Sequence, residues 1–309
     1  MNKICVSIVT HSPELISNCL KSLYQKCDTS ELSIFVIQND CIFPKIYPQL
    51  SEYVAKGVTV YINQRQMGFA SNHNKIIREN NSDYYLLLND DLIFTEDTIK
   101  KLKQYLDEND DVGVISPKLL NKDGTLQPST YGFPTLFTVL MLTTGIRSLL
   151  KFSKFTNAII EKIFGEGKSR FWAHDKILDV DTFRGACVLM RGKTIDGVGL
   201  MNEDTLFFGE ELEWHRRIKE SGWRIVFYPL TQIIHLGGTT INQIKQGVIE
   251  KEHTKSLLVY FSRHSSSVAY YCLLYTILIK YFLRYLIASD SNCKEILNYH
   301  KKLNGIEKY

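Results

Sequence analysis

Apolar residues in the first hundred positions fall into short runs separated by helix-spaced stripes. Residues 4–9 form a β-rich run, which predicts a strand. Ser12-Pro13-Glu14 reads as a helix start, with Ser12 at the N-cap and Pro13 in the first turn. Leu15, Ile16, Cys19, Leu20 and Leu23 then share one helical stripe. Residues 34–37 and 58–62 are the next strand candidates, and 72–79 predict a helix. A fourth strand, 84–88, runs directly into Asn89-Asp90-Asp91, and 95–106 read as another helix. Strands alternating with helices predict an α/β fold with a largely parallel sheet covered on both faces.

The later pattern is less regular. Residues 133–151 are apolar, but only 14 positions precede Arg147, short for a bilayer span. Residues 183–190 form another apolar run. A helix is expected to begin near Gly209-Glu210 and stop at Gly222. Residues 223–228 predict a strand closed by Pro229, followed by Ile233-Ile234-His235 and Gly237-Gly238. In the tail, 268–287 is 20 residues long, and its two cations, Lys280 and Arg284, share one helical face. Three placements fit: an interfacial helix with snorkelling basic side chains, a core helix, or a true span.

Charge sharpens the view of that tail. The 309-residue chain has 37 Lys and Arg against 33 Asp and Glu, a net of +4. Residues 241–309 hold ten basic and five acidic side chains, so they contribute +5 and residues 1–240 contribute −1. A basic nucleic-acid groove in the main body is thereby disfavoured, and a basic tail meeting an anionic surface is allowed. Seven cysteines, an odd number without a CxxC pair, speak against a disulfide framework or zinc site and for a reducing compartment. The run at 4–9 is short and is stopped by His11-Ser12-Pro13-Glu14, unlike a signal peptide.

Candidate chemistry gathers at strand ends, where parallel sheets bind ligands. These ends carry Thr10-His11, Gln38-Asn39-Asp40 and Asn89-Asp90-Asp91. The carboxylate pair offers hard oxygen ligands for Mg²⁺ or Mn²⁺ carrying phosphates; alternatively it caps the following helix. Glu210-Glu211-Leu212-Glu213 either serves a helix dipole, with Glu213 and Arg217 paired on the solvent face, or supplies a general base. His235 is either a structural histidine or a neutral imidazole ligand. Residues 66–74 place Gly68 at a helix start, suited to close approach of a ligand. They match neither a Walker A loop nor GxGxxG.

Taken in order over residues 4–238, these motifs, with Arg184-Gly185-Ala186, Phe207-Phe208-Gly209 and Gly222-Trp223-Arg224, resemble the family 2 glycosyltransferases. The resemblance implies a GT-A fold over residues 1–240 and a helical, membrane-facing extension over 241–309. It implies an inverting, metal-dependent hexosyltransferase using Mg²⁺ or Mn²⁺. Glu211 would be the catalytic base, and Asp91 with His235 the metal ligands. Thr10, Asn39, Gly68, Phe69, Asn74, Asn89, Asp90, Arg184 and Gly185 would bind the nucleotide sugar.

The layout looks similar to bacterial O-antigen rhamnosyltransferases. That implies dTDP-β-L-rhamnose as donor, a lipid-linked saccharide as acceptor, and a peripheral place on the cytoplasmic face of the inner membrane, with no nucleic-acid partner. UDP-GlcNAc, UDP-glucose and UDP-galactofuranose are alternative donors. The chain departs from the family pattern at Gln38, usually Asp; at Glu211, usually Asp; and at Gln66, usually Asn. A sugar-phosphate nucleotidyltransferase would need a Gly-rich basic loop after the first strand, which Thr10-His11-Ser12-Pro13-Glu14 is not. A membrane-associated scaffold without activity is the third alternative.

Overall fold

The computed structural model describes residues 3–39, 47–143, 172–237, 245–288 and 291–303. Asp40, the insertion beyond Thr143 and Gly238 lie outside the described residues. The expected alternation is present. Strand β1 (Ile4–Thr10) leads to helix α1 (Pro13–Lys26), then β2 (Leu32–Gln38), a short helix α2 (Ser51–Ala55) and β3 (Thr59–Ile62). Helix α3 (Phe69–Glu79), β4 (Tyr84–Asn89), β5 (Leu92–Phe94), α4 (Thr98–Glu108) and β6 (Val112–Leu120) follow. Ser12 caps α1 as predicted, its hydroxyl accepting from Leu15 N at 3.3 Å.

Short strands β7 (Leu126–Gln127) and β8 (Thr130–Tyr131) come next, then α5 (Leu136–Thr143), β9 (Leu178–Asp179), β10 (Thr182–Phe183) and β11 (Cys187–Arg191). The described chain continues with α6 (Gly192–Val198), α7 (Glu210–Glu220) and the long strand β12 (Arg224–His235). It closes with α8 (Gln246–His264), α9 (Ser267–Ala288) and α10 (Ser291–Leu303).

The main sheet has the order β3-β2-β1-β4-β11-β6-β12-β5. Pairs β3–β2, β2–β1, β1–β4 and β6–β12 are parallel, and β11 runs antiparallel between β4 and β6. Two apolar layers sandwich this sheet. One joins α1 and α4 to it through residues such as Leu20 and Leu102; the other joins α3 and α7 through Ile76 and Trp214. A third cluster binds α5 to α8, α9 and α10.

Two expectations change. The strand from 224 does not close at Pro229 but continues to His235. Proline lacks the N–H a ladder needs, and the pairing with β6 slips there: Tyr228 faces Pro117, while the next paired residue, Gln232, faces Lys118. The bulge absorbs the missing donor and carries His235 to the strand-end face. Second, Glu213 and Arg217 do pair, at 2.9 Å, but Glu213 is buried rather than on a solvent face. Helix α7 is covered on two sides, Trp214 and Ile218 facing the sheet and Leu212 facing the C-terminal helices. That explains why its apolar positions make no single stripe. The helix ends as expected, with Gly222 at φ +88° just beyond the Ser221 cap.

Candidate active site

The topology brings the candidate motifs to one end of the sheet. β4 and β1 run in parallel, so Asn89 emerges beside Thr10. β11 is reversed, so its beginning, not its end, lies there: Cys187 faces Leu88, and Asn89 N donates to Ala186 O at 2.9 Å. β12 pairs with β5 so that His235 faces Leu92, directly after Asp91. The helix-capping alternative for the carboxylate pair is settled by α4, whose N-cap is Asp97, accepting from Lys100 N at 3.0 Å.

Asp90 and Asp91 have different partners. Asp90 Oδ2 accepts from the Thr10 hydroxyl at 2.7 Å and from His11 N at 3.3 Å. Burial pushes Asp90 up to about 7, opposed by the Thr10 hydrogen bond and reinforced by the charge of Asp91. Asp91 Oδ2 accepts from Gly237 N at 3.0 Å, while its Oδ1 is buried without a hydrogen bond. His235 Nε2 stands 3.2 Å from that oxygen.

A chain of amides assigns the His235 proton. Asn121 Nδ2 donates to Leu126 O, which turns its Oδ1 toward Gln127 Nε2 at 3.0 Å. Gln127 Nε2 also donates to His235 O at 3.2 Å, so Gln127 Oε1 is the acceptor facing His235 Nδ1 at 2.6 Å. Nδ1 therefore carries a hydrogen, which leaves Nε2, 3.2 Å from Asp91 Oδ1 and 3.4 Å from Asn89 Nδ2, as the ring nitrogen on the site side. Asp91 Oδ1, buried and unpaired, and His235 Nε2 lie close enough to share one ion. This fits a divalent cation with mixed oxygen and nitrogen ligands. Among the described residues no cluster of three or more His, Cys, Asp or Glu side chains is placed to hold a metal. Asp91 and His235 would thus be joined by phosphate oxygens and water, as Mg²⁺ and Mn²⁺ commonly are.

Glu211 lies on the other flank of the same strand end. A Cβ on Gly185 would stand 3.5 Å from the Phe69 ring and 3.9 Å from Glu211 Cβ, so the 184–186 segment links Asn89 to Glu211. Glu211 is half-buried, and burial raises its proton affinity, tempered by the charge of Arg184. Glu210 is buried more deeply and pushed well above the carboxylate range, first by burial and then by the charge of Glu211. Arg184 is held by N–H to Ser129 O at 2.8 Å and by Nη2 to the Tyr131 hydroxyl at 3.3 Å.

The remaining sequence candidates are in place but inward-facing. Thr10 is buried, its hydroxyl directed at Asp90 and the Ser12 backbone. Asn39 bonds Met67 N and O and accepts from Asn63 Nδ2 at 2.8 Å. Asn74 clamps Met201 through its N and O and donates to Glu203. Gly68 caps α3, and its missing side chain admits the chain itself: a Cβ there would be 2.8 Å from Thr205 O. Gln127, Asn63 and Asn72 are additions that sequence reasoning missed. Gln127 stands 108 residues from His235, and only the β6–β7 hairpin reveals the contact.

The sequence pattern described as "Glycosyltransferase like family 2" matches residues 6–266. The chain belongs to that family. Among curated proteins no match is found. Two solved structures share the GT-A glycosyltransferase fold of this family 2 member. One is GalNAc-T7 with UDP, GalNAc and Mn²⁺, at 14% identity and TM-score 0.58, covering 85% of this chain and 48% of its own. The other is the mannosyltransferase PcManGT from Pyrobaculum calidifontis with GDP-Man and Mn²⁺, at 11% identity and TM-score 0.56, covering 100% and 76%. Likeness at such identities carries the fold and nothing finer. This chain spans about half the length of the first.

Proposed function

We propose that this family 2 member is an inverting glycosyltransferase that moves a sugar from a nucleotide-sugar donor to an acceptor hydroxyl. The observation that carries the reading is the buried, unpaired Asp91 Oδ1 with His235 Nε2 3.2 Å away, on the strand-end face that also holds Glu211. Asp91 and His235 would hold Mg²⁺ or Mn²⁺, which when bound offsets the charge of the leaving diphosphate. Asp90 keeps the turn in shape through Thr10 and His11. Glu211 takes the acceptor proton as the acceptor oxygen attacks the anomeric carbon and the sugar–diphosphate bond breaks. Burial raises its proton affinity above that of an exposed carboxylate, which favours the role of a base. Phe69 and Gly185 lie beside Glu211, while Asn39 and Asn74 would shape the donor side indirectly, by holding Met67 and Met201.

Family resemblance favours dTDP-β-L-rhamnose as donor, giving an α-L-rhamnoside in O-antigen-type polysaccharide. UDP-GlcNAc, UDP-glucose and UDP-galactofuranose are the competing donors. A lipid-linked acceptor and a place on the cytoplasmic face of the inner membrane rest on the same resemblance; membrane contact itself has the support of α9. Its residues 267–287 form a helix long and apolar enough to cross a membrane. One face is buried, while Val268, Tyr271, Tyr275, Ile279, Phe282 and Leu286 stand at least half exposed. An exposed apolar stripe on a basic tail suits an interfacial helix.

The test is calorimetry of dTDP, UDP and GDP with Mn²⁺ or Mg²⁺, followed by turnover of the matching sugar donors. Asp91→Ala should remove the metal dependence of nucleotide binding. Glu211→Gln should nearly abolish transfer and leave binding intact. Full activity in Glu211→Gln would refute the base assignment, and unchanged metal response in Asp91→Ala the ion assignment.

A further inference from the structure

The turn that delivers Glu211 is gripped from behind by α8, a helix outside the strand-end site. Residues 205–209 leave the donor side of the site and enter α7. On one side this segment meets α3: Phe69 N donates to Leu206 O at 2.9 Å, and the space of a Gly68 Cβ is filled by Thr205 O and Leu206 O, at 2.8 and 3.0 Å. On the other side Leu206 N donates to Glu252 Oε2 at 3.0 Å. The Ser256 hydroxyl lies between Phe208 O and Glu252 O, with its closer contact to Phe208. A Cβ on Gly209 would stand 2.8 Å from Ser256 Cβ, so α8 touches the backbone where α7 begins.

The backbone there is strained. Phe208 has φ +73° and Gly209 φ +81°. Glycine adopts that region freely, whereas for phenylalanine it persists only when surrounding contacts impose it. Gly209 is the N-cap of α7 and supplies no side-chain cap, so the helix start depends on contacts from elsewhere. One turn further on, α8 grips α7 again: His264 Nε2 lies 3.2 Å and Arg263 Nη1 3.5 Å from Glu213 Oε1.

We infer that Glu252 and Ser256 are positioning residues that hold the 206–209 turn and thereby aim the Glu211 carboxylate. Neither needs to touch donor or acceptor. The inference rests on the reading of Glu211 as the base, and it joins α8 to the catalytic unit rather than to a separate extension.

The test uses the full chain as Glu252→Ala, Glu252→Gln and Ser256→Ala. Turnover is followed as nucleoside diphosphate release from the nucleotide sugar that turns over in the donor panel. Binding of Mn²⁺ with the corresponding nucleoside diphosphate is followed by calorimetry, and backbone amide exchange by mass spectrometry. A base displaced by about an ångström costs up to ~100-fold in rate. Glu252→Ala and Ser256→Ala should therefore lower kcat by roughly 10- to 100-fold, with donor KM within about twofold of wild type. In Glu252→Ala the Leu206 amide should exchange faster. Glu252→Gln keeps an oxygen for that amide and should recover part of kcat.

Faster exchange at 206–209 with unchanged kcat would overturn the inference. So would loss of kcat only in parallel with nucleotide binding in all three variants, which is general destabilisation. Wild-type activity in Glu211→Gln condemns the base assignment instead, whatever these variants do.

Discussion

Replacing Gln127 by alanine tests the ion site without touching a ligand. In the native protein Gln127 Oε1 lies 2.6 Å from His235 Nδ1, and its amide nitrogen reaches Asn121 Oδ1 and His235 O. Alanine removes all three contacts. The His235 ring, only 4% exposed, keeps an Nδ1–H without its acceptor. Leaving a buried donor unsatisfied costs about 1–3 kcal/mol. The ring escapes that cost by moving its proton to Nε2 or by rotating. Either change denies an Nε2 lone pair to an ion shared with Asp91 Oδ1.

Losing a partner that orients a ligand typically lowers metal affinity ~10–100-fold, equivalent to about 1.4–2.7 kcal/mol. The assay is a calorimetric titration of Mn²⁺ into protein saturated with dTDP or UDP, whichever binds. Gln127→Ala should weaken Mn²⁺ by that factor, with smaller effect on the nucleotide alone. Gln127→Glu retains an acceptor for Nδ1–H and should lose less. Native Mn²⁺ affinity in Gln127→Ala, beside a complete loss in Asp91→Ala, would refute the tautomer argument.

Gly68→Ala drives a Cβ to within 2.8 Å of Thr205 O and 3.1 Å of Leu206 Cα, both backbone. Such overpacking costs about 1–3 kcal/mol, so the melting temperature and turnover should both fall; an unchanged melting temperature would show that the loop yields freely. Burial depresses His215 to about 3, and the Thr182 hydroxyl lies 2.7 Å from its Nδ1. The folded ring stays neutral while the unfolded one takes a proton below its ordinary 6.5. Its contribution is therefore complete above about pH 6.5 and declines by ~1.4 kcal/mol per unit as pH falls toward 3. Denaturant unfolding of His215→Gln should show a shallower acid slope by one proton; an identical slope contradicts the assignment. Ile279→Lys with Leu286→Lys should abolish co-sedimentation with phosphatidylglycerol-containing vesicles and spare dTDP or UDP binding. Retained co-sedimentation would remove α9 as the membrane face.

Local physics made much of the molecule readable from the chain. The β-rich runs, the Ser12-Pro13 start, the Gly222 stop and the strand ending at Asn89-Asp90-Asp91 all depend on neighbours within a few residues, and they stand as predicted. The ordered motifs also led to the right family, because their order survives in one dimension. Tertiary structure decided the rest. It distinguished Asp91, with a bare oxygen, from Asp90, locked to Thr10. It carried β12 past Pro229 by a bulge whose partner lies on β6. It assigned Gly68 to the chain's own Thr205 carbonyl. It also set Gln127 behind His235 and α8 behind the Glu211 turn. Each of these is a contact across tens to more than a hundred residues. Hydrophobic period and helix or turn propensity act only over one or two turns of chain, so sequence alone holds no signal for which distant partner meets which atom.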